Sequence, residues 1–423
     1  MNFKTKLAVL AIGAAMGSMA FNASACSTVI VGKDASATGN ILVGHNEDNG
    51  GRILTAQHWV PAATHKAGEM IKFEEAAASI PQVEKTFGFF WSQTFDPTGA
   101  SFSDGFVNEN GVTIVTNACT GIYKDDIMPT KDGGIGYGIR RLMAERATSA
   151  RHAVDIAIEL LGKYGYFSEG RTYTIADPNE AWQLAIHQGN TWVARRVQDN
   201  EVVYIPNNFM MDKVDLNDKE TWRIEPKQVE RAVKDGRHDA KNPIFNWRMV
   251  VAQESVRHER WNANRNVLAW KFLTGVEYND PEKFPYSAVI DRKLGVKDAM
   301  ALLRLHEDYI GQDQELYHSK SEGICRTTSR LQPDGRSDAH RSLEDARPSV
   351  SVRLRAALSA RRSRQGHRLH GSGHGHEGTL RRHSRHVRLP CRLHAAQRLQ
   401  RLQQRHRLPA RRRTRQAHAA HPG

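Results

Sequence analysis

The sequence predicts a layered α+β domain over Cys26–Cys325, preceded by an export signal and followed by a segment foreign to the fold. Three observations carry this. β-Branched runs bounded by turn residues fill the stretch after Ala25 and recur after residue 170. A block with helical spacing separates them. The composition then changes abruptly at Arg326.

The strands come first. STVIVG (27–32) is an apolar, β-branched run. A Gly/Ser/Asp turn over 33–40 leads into ILVGH (41–45). Together they read as a hairpin that returns His45, Asn46, Glu47 and Asp48 toward the start of the domain. The turn NENGV (108–112) opens a third strand, VTIVT, which ends at Asn117. Two helices follow. Ile135, Ile139, Leu142 and Met143 share one helical face, and Ala153, Val154, Ala157, Ile158 and Leu161 repeat the spacing. Ser149 is the expected cap of the second helix, and Gly162 and Gly165 its end. A meander of YTIAD, AWQLAI, TWVARRV and VVYIP comes next, separated by Pro178-Asn179, Gly189-Asn190 and Asp199-Asn200. Helical spacing returns near 246–273 and 297–309. Trp182, Trp192, Trp261 and Trp270 read as core rather than ligand platforms. No internal repeat is present.

Residues 1–25 read as an address label. Lys4 and Lys6 form a basic start, Leu7 to Phe21 an apolar run, and Ala23-Ser24-Ala25 a small-residue cleavage site. The apolar run is short and interrupted by glycine, which argues against a membrane anchor. The expected mature chain begins at Cys26 and is periplasmic or secreted. A lipoprotein would also begin at cysteine. Here, however, Ala23 stands where that signal usually has a large aliphatic residue, and a strand replaces the usual polar tether. Cys26, Cys119, Cys325 and Cys391 fit no zinc spacing. Cys119 and Cys325 are able to pair in an oxidising compartment, or Cys119 stays a free, buried thiol.

The net charge of +14 over 423 residues by itself suggests a nucleic-acid or membrane partner. Its location removes that reading. Residues 326–423 hold 24 Arg, no Lys, 3 Asp and 2 Glu, a net of +19, which leaves −5 for residues 1–325. The same 98 residues contain 11 of the 20 His but no Phe, Tyr, Trp, Ile, Met or Asn. Such a segment cannot bury enough apolar surface to offset its ordering entropy, so it is expected to be disordered. Its lysine-free Arg/His/Gln/Pro usage reads like a GC-rich gene in a shifted frame, and a frameshift near 328–331 is expected. Arg–phosphate contacts or metal capture by His370, His374 and His376 are the weaker readings of the segment. No apolar run beyond the N-terminus reaches the length of a membrane span, so a multi-pass membrane protein is excluded.

Cleavage before Cys26 would place a thiol and a free α-amine on one residue. The amine titrates near 7.7–8.0 and the thiol near 8.5. A partly unprotonated amine can therefore act as a built-in base for its own nucleophile. Acyl transfer follows from that pairing: a thiolate attacks an amide carbonyl, an oxyanion forms and needs donors, the amine departs, and water clears the thioester.

The start CSTVIVGKDASATGNILVGHNEDN, the block DGFVNENGVTIVTNAC, the block YTIADPNEAWQLAIHQGNTWVARRVQDNEVVYIPNN and the segment GICRTT together resemble the cysteine dipeptidase family (dipeptidase A type) of the N-terminal nucleophile hydrolases. Choloylglycine hydrolases and penicillin V acylases are its relatives. The resemblance covers about residues 26–328. It implies a four-layer αββα sandwich with the N-terminal residue at a sheet edge, and hydrolysis of dipeptides that carry a free amino end. It implies Cys26 as nucleophile and base, Asp48 as the carboxylate that holds the N-terminal amine, and Asn117 as an oxyanion-hole donor. It also implies a second site asparagine at Asn207 or Asn208, with Asn208 the preferred match, and Arg265 as a thiolate-stabilising cation. His45 stands where choloylglycine hydrolases have arginine, which leaves its role open. The family's core continues past ICRTT, so the sandwich is expected to be incomplete at its C-terminal end. The expected partner is a dipeptide or small amide. No cofactor, metal, nucleic acid or membrane contact is expected after cleavage, and the oligomeric state stays open. An acylase of bile-salt, penicillin or acyl-homoserine-lactone amides is the alternative enzyme, and a surface lipoprotein the non-enzymatic one.

Overall fold

A computed structural model describes residues 26–47, 54–73, 77–95, 105–123, 130–307 and 323–325. The leader 1–25, Asp48 and everything from residue 326 onward lie outside the described residues. The first strands are β1 (Ser27–Val31), β2 (Leu42–Asn46), β3 (Leu54–Val60), β4 (Phe89–Phe95), β5 (Gly105–Asn108) and β6 (Thr113–Ala118). Helices α1 (Gly138–Arg146) and α2 (Ala150–Tyr164) follow. Next come β7 (Tyr166–Ala176), β8 (Ala181–Gly189), β9 (Thr191–Val197), β10 (Glu201–Ile205) and β11 (Trp222–Ile224). The last elements are α3 (Pro226–Lys234), α4 (Trp247–Val251), α5 (Glu254–His258), α6 (Arg260–Thr274), β12 (Ser287–Val289) and α7 (Val296–Leu302).

Two antiparallel sheets form the centre. One has the order β12-β10-β1-β2 and the other β11-β9-β8-β7-β6-β5-β4-β3. Side-chain alternation shows how they stack. Along β8, Trp182, Leu184 and Ile186 pack with α1 and α2, while Ala181 and Ala185 pack with residues of the smaller sheet. Along β1, Thr28 reaches Asn117 of the larger sheet and Ser27 reaches Arg265 of α6. The layers are therefore helix, large sheet, small sheet, helix, as the αββα expectation has it. Buried Trp182, Trp192 and Trp270 are core, as expected. Trp261 instead lies beneath the Arg265 guanidinium, with 4.8 Å between the charge and its ring centre.

The hairpin reading of β1 and β2 holds, with Ser27 opposite Asn46 and Thr28 opposite His45. The capped helix also holds. Ser149 Oγ accepts from the His152 N–H, and Asp177 from the following strand turn accepts from the Ala150 N–H at 2.7 Å. Helix α2 passes through Gly162 and ends at Gly165, whose φ of +68° suits glycine.

Four expectations are corrected. VVYIP is not the fourth strand of the meander. Val202, Val203, Tyr204 and Ile205 are all buried, so the strand needs cover on both faces and finds it beside β1 in the other sheet. Gly32 permits that crossing, because a Cβ there would lie 2.4 Å from the Asp199 carbonyl oxygen. Second, β1 pairs on both sides, so Cys26 sits at the end of an interior strand and not at a sheet edge. Third, the helical stretch 246–273 breaks around Ala252, where backbone groups of Val251 and Gln253 turn to Ile122 and Thr120. Fourth, of the helix expected over 297–309, only α7 forms among the described residues, and 308–309 lie outside them. Strands β3 and β4 carry no clean apolar alternation and were not legible as a pair.

Candidate active site

All three polar groups of Cys26 are held. Its nitrogen, a peptide N–H in the full chain that stands in for the α-amine cleavage would free, donates to Asn207 Oδ1 at 2.5 Å. Its Sγ donates to Glu47 Oε1 at 3.1 Å. Its carbonyl oxygen accepts from the Arg265 guanidinium at 2.5 Å. The residue is fully buried and forms no disulfide.

The hairpin delivers Glu47 and His45 to the sulfur. His45 Nε2 lies 2.9 Å from Glu47 Oε2, so the two carboxylate oxygens bridge thiol and imidazole. On the other side of the ring, Nδ1 lies 2.8 Å from Thr28 Oγ1. The Thr28 hydroxyl donates its proton to Asn117 Oδ1 at 2.6 Å, so it accepts from His45 Nδ1–H. Asn117 in turn donates Nδ2–H to the Ile205 carbonyl at 3.0 Å, which fixes its amide orientation and leaves a second N–H for other use. A hydrogen-bond chain thus runs from the sulfur through Glu47, His45 and Thr28 to Asn117, crossing from one sheet to the other.

Arg265 is fully buried on α6. It donates to Cys26 O, Ser27 Oγ, Asn207 Oδ1, Asn262 Oδ1 and the Trp261 carbonyl. Asn262, one turn earlier, also accepts from the Asn207 backbone N–H at 3.1 Å. A buried cation needs such a set of acceptors, and here they position both the start of β1 and the Asn207 side chain.

The structure brings Cys26, Asn117 and Arg265 together with His45. It turns Asn207, not the preferred Asn208, onto Cys26. Asn208 is buried with neither amide atom hydrogen-bonded among the described residues. Asp48 lies outside the described residues. Sequence reasoning did not single out Glu47, Thr28, Asn262 or Arg171. Thr28 was readable in principle, since strand alternation puts it opposite Ser27 and facing the other sheet. Arg171 is almost fully buried, donates to Thr116 Oγ1 at 3.1 Å and stacks 4.6 Å from the Tyr137 ring centre. Cys119 is a free, buried thiol; burial pushes its pKa up to about 12, with Thr172 opposing only in part. It is unsuited to act as a nucleophile.

Burial pushes the Glu47 carboxyl up, yet the His45 hydrogen bond and charge, the Arg171 charge and the Cys26 thiol together hold it below its ordinary value. A depressed carboxyl adds stability that is complete above the unfolded value of about 4.3 and is lost as pH falls through the folded value. Glu47→Gln should therefore be less stable than the wild type at neutral pH, with the gap closing on acidification below about pH 4.3. Urea midpoints measured from pH 7 to pH 3 check this; a gap that stays constant with pH would contradict it.

Cys26, His45 and Glu47 also form the group of metal-capable side chains among the described residues, with their donor atoms within 4.8 Å of one another.

The comparisons with known proteins agree on ancestry. A profile described as Peptidase family C69 matches residues 25–349. The chain belongs to peptidase family C69. The C69 match begins one residue before Cys26 and continues past Cys325. A probable dipeptidase of Latilactobacillus sakei is 25% identical over 293 residues, covering 67% of this chain and 60% of that protein. A probable dipeptidase of Salmonella dublin is 26% identical over 309 residues, covering 70% of each. A probable dipeptidase B of Streptococcus pyogenes serotype M3 is 27% identical over 331 residues, covering 72% of this chain and 61% of that protein. This C69 chain thus spans about 60% of the length of the first of these relatives. Among solved structures, a conjugated bile acid hydrolase from Clostridium perfringens shares 9% identity at a TM-score of 0.30, covering 52% of this chain and 63% of that one. That likeness is too slight to bear on the fold.

Proposed function

We propose that the chain is an exported cysteine dipeptidase that becomes active when residues 1–25 are removed and Cys26 gains a free α-amine. The observation that carries this is the simultaneous hold on Cys26: nitrogen to Asn207, sulfur to Glu47, carbonyl to Arg265. A merely structural cysteine has no need of a carboxylate on its sulfur and an amide oxygen on its nitrogen.

In this reading the thiol loses its proton to the α-amine, with Glu47 holding the sulfur in place. The thiolate adds to the scissile carbonyl carbon. The oxyanion that forms takes a donor such as the second Nδ2–H of Asn117. Collapse breaks the C–N bond, the ammonium returns its proton to the leaving amine, and a thioester remains. The amine then deprotonates water, which hydrolyses the thioester and restores the thiol. Arg265 and Asn207 position Cys26, and Asp48, which follows Glu47 directly, is the carboxylate proposed to hold the α-ammonium. The domain lies outside the membrane in this reading, and no helix among the described residues is long and apolar enough to cross one.

The test is to isolate the exported protein, sequence its N-terminus and compare unblocked dipeptides with N-acylated amides. An unmodified Cys26 start and a kcat/KM at least about tenfold higher for dipeptides are expected. Cleavage of N-acyl substrates alone would favour the acylase reading, and a lipid-blocked Cys26 would exclude the mechanism.

A further inference from the structure

The cluster around the sulfur has a second chemical capacity. A thiol, an imidazole Nε2 and a carboxylate lie within 4.8 Å of one another. Sulfur, nitrogen and oxygen donors in one place suit a borderline-soft divalent cation, zinc above all. Tetrahedral zinc sets its donors about 3.3–3.8 Å apart. The two contacts to Glu47, 3.1 Å from Sγ and 2.9 Å from Nε2, would open by tenths of an ångström, and Sγ and Nε2, within 4.8 Å of each other, would draw in by up to about 1 Å. The imidazole is already oriented for the task. Thr28 engages Nδ1, Asn117 engages Thr28, and Nε2 faces Glu47 Oε2. Such outer contacts fix ring orientation in known metal sites.

We propose that the processed chain carries a reversible zinc site made of Cys26 Sγ, His45 Nε2 and Glu47, with the Cys26 α-amine as fourth donor, and that zinc there silences the nucleophile. The three side-chain donors are independent of leader removal; the fourth donor and the inhibition rest on the function proposed above. Amine and sulfur of one cysteine close a five-membered chelate ring. Binding expels the thiol proton, while His45 enters through Nε2 as the neutral imidazole and Glu47 as a carboxylate. No electron moves, and a chelator reverses the step.

Competitors exist in the same chain: the histidine-rich segment beyond residue 325 with Cys391 in it, and the thiols of Cys119 and Cys325, which the Cys26→Ala variant leaves in place. The experiment separates them. The exported, processed full chain is titrated with Co2+, whose thiolate charge-transfer absorption reports sulfur ligation, and the Cys391→Ser, Cys26→Ala, His45→Gln and Glu47→Gln variants follow, each checked for fold by circular dichroism. One equivalent should produce the band in the wild type and in Cys391→Ser. The band should vanish in Cys26→Ala and weaken at least about tenfold in affinity in His45→Gln and Glu47→Gln. Equimolar Zn2+ should abolish dipeptide hydrolysis, and a chelator should restore it. A band that survives Cys26→Ala, disappears in Cys391→Ser, or keeps its affinity in both His45→Gln and Glu47→Gln overturns the site. A chain that hydrolyses dipeptides but shows no band and no zinc inhibition loses the metal site and keeps the function. One that shows the Cys26-dependent band but cleaves no dipeptide keeps the metal site and loses the function.

Discussion

Cys26→Ala is expected to lower dipeptide turnover by at least about 10³-fold while leaving the fold intact. Removing a nucleophile on which a covalent intermediate depends leaves only binding and charge stabilisation. The fold should survive because the strongest structural ties of Cys26 are backbone ties. Its nitrogen still meets Asn207 and its carbonyl still meets Arg265. The thermal midpoint of the variant should therefore stay close to that of the wild type. Cys26→Ser refines the result, since the hydroxyl keeps the hydrogen bond toward Glu47 but is a far weaker nucleophile. Steady-state kinetics on a good dipeptide decides the matter, and turnover retained in the alanine variant would remove Cys26 from the chemistry.

Arg265→Ala should cost about 3–5 kcal/mol of folding stability, as well as activity. The truncation empties a fully buried site and removes the guanidinium donor from the Cys26 carbonyl, Asn207 Oδ1 and Asn262 Oδ1. An arginine on a solvated helix face would cost no more than about 0.5 kcal/mol. The two differ enough for urea denaturation to separate them in one experiment. Arg265→Lys should recover part of the stability but not the full activity, because a single ammonium cannot reach acceptors on three separate residues as the planar fork does. An alanine variant as stable as the wild type would show that the network is idle.

What the sequence made legible was local. The β1–β2 hairpin follows from two β-branched runs around a glycine-bearing turn, and the α2 cap from Ser149 three residues before His152. The hairpin alone brings His45 and Glu47 back to Cys26, so the place of the site was legible from two strands and a turn. Its finer parts were settled by contacts between distant segments. Asn207 and Asn208 are neighbours just after β10; which one turns to Cys26 depends on α6, where Asn262 and Arg265 grip Asn207. Helical spacing alone gives no sign that Arg265 is buried, because the first half of the buried face of α6 is polar, with Asn262, Arg265 and Asn266 all inaccessible. An apolar-face rule misreads such a helix. Glu47 was hidden for another reason: in a charged run its role depends on which side of the strand end it leaves.

The interior position of β1 also sets an order of events in the life of the chain. β1 is flanked by β2 and by β10, a partner about 170 residues away in sequence, and its first neighbour Cys26 is wholly inaccessible with its nitrogen bonded to Asn207. A peptidase that cuts before Cys26 needs an extended, reachable backbone there. The cleavage proposed above therefore comes before the small sheet closes. Under the export proposed above, maturation is a race between processing and folding: a chain that folded first would bury the bond before Cys26, whereas one delivered unfolded across a membrane would be trimmed and would then close around Cys26.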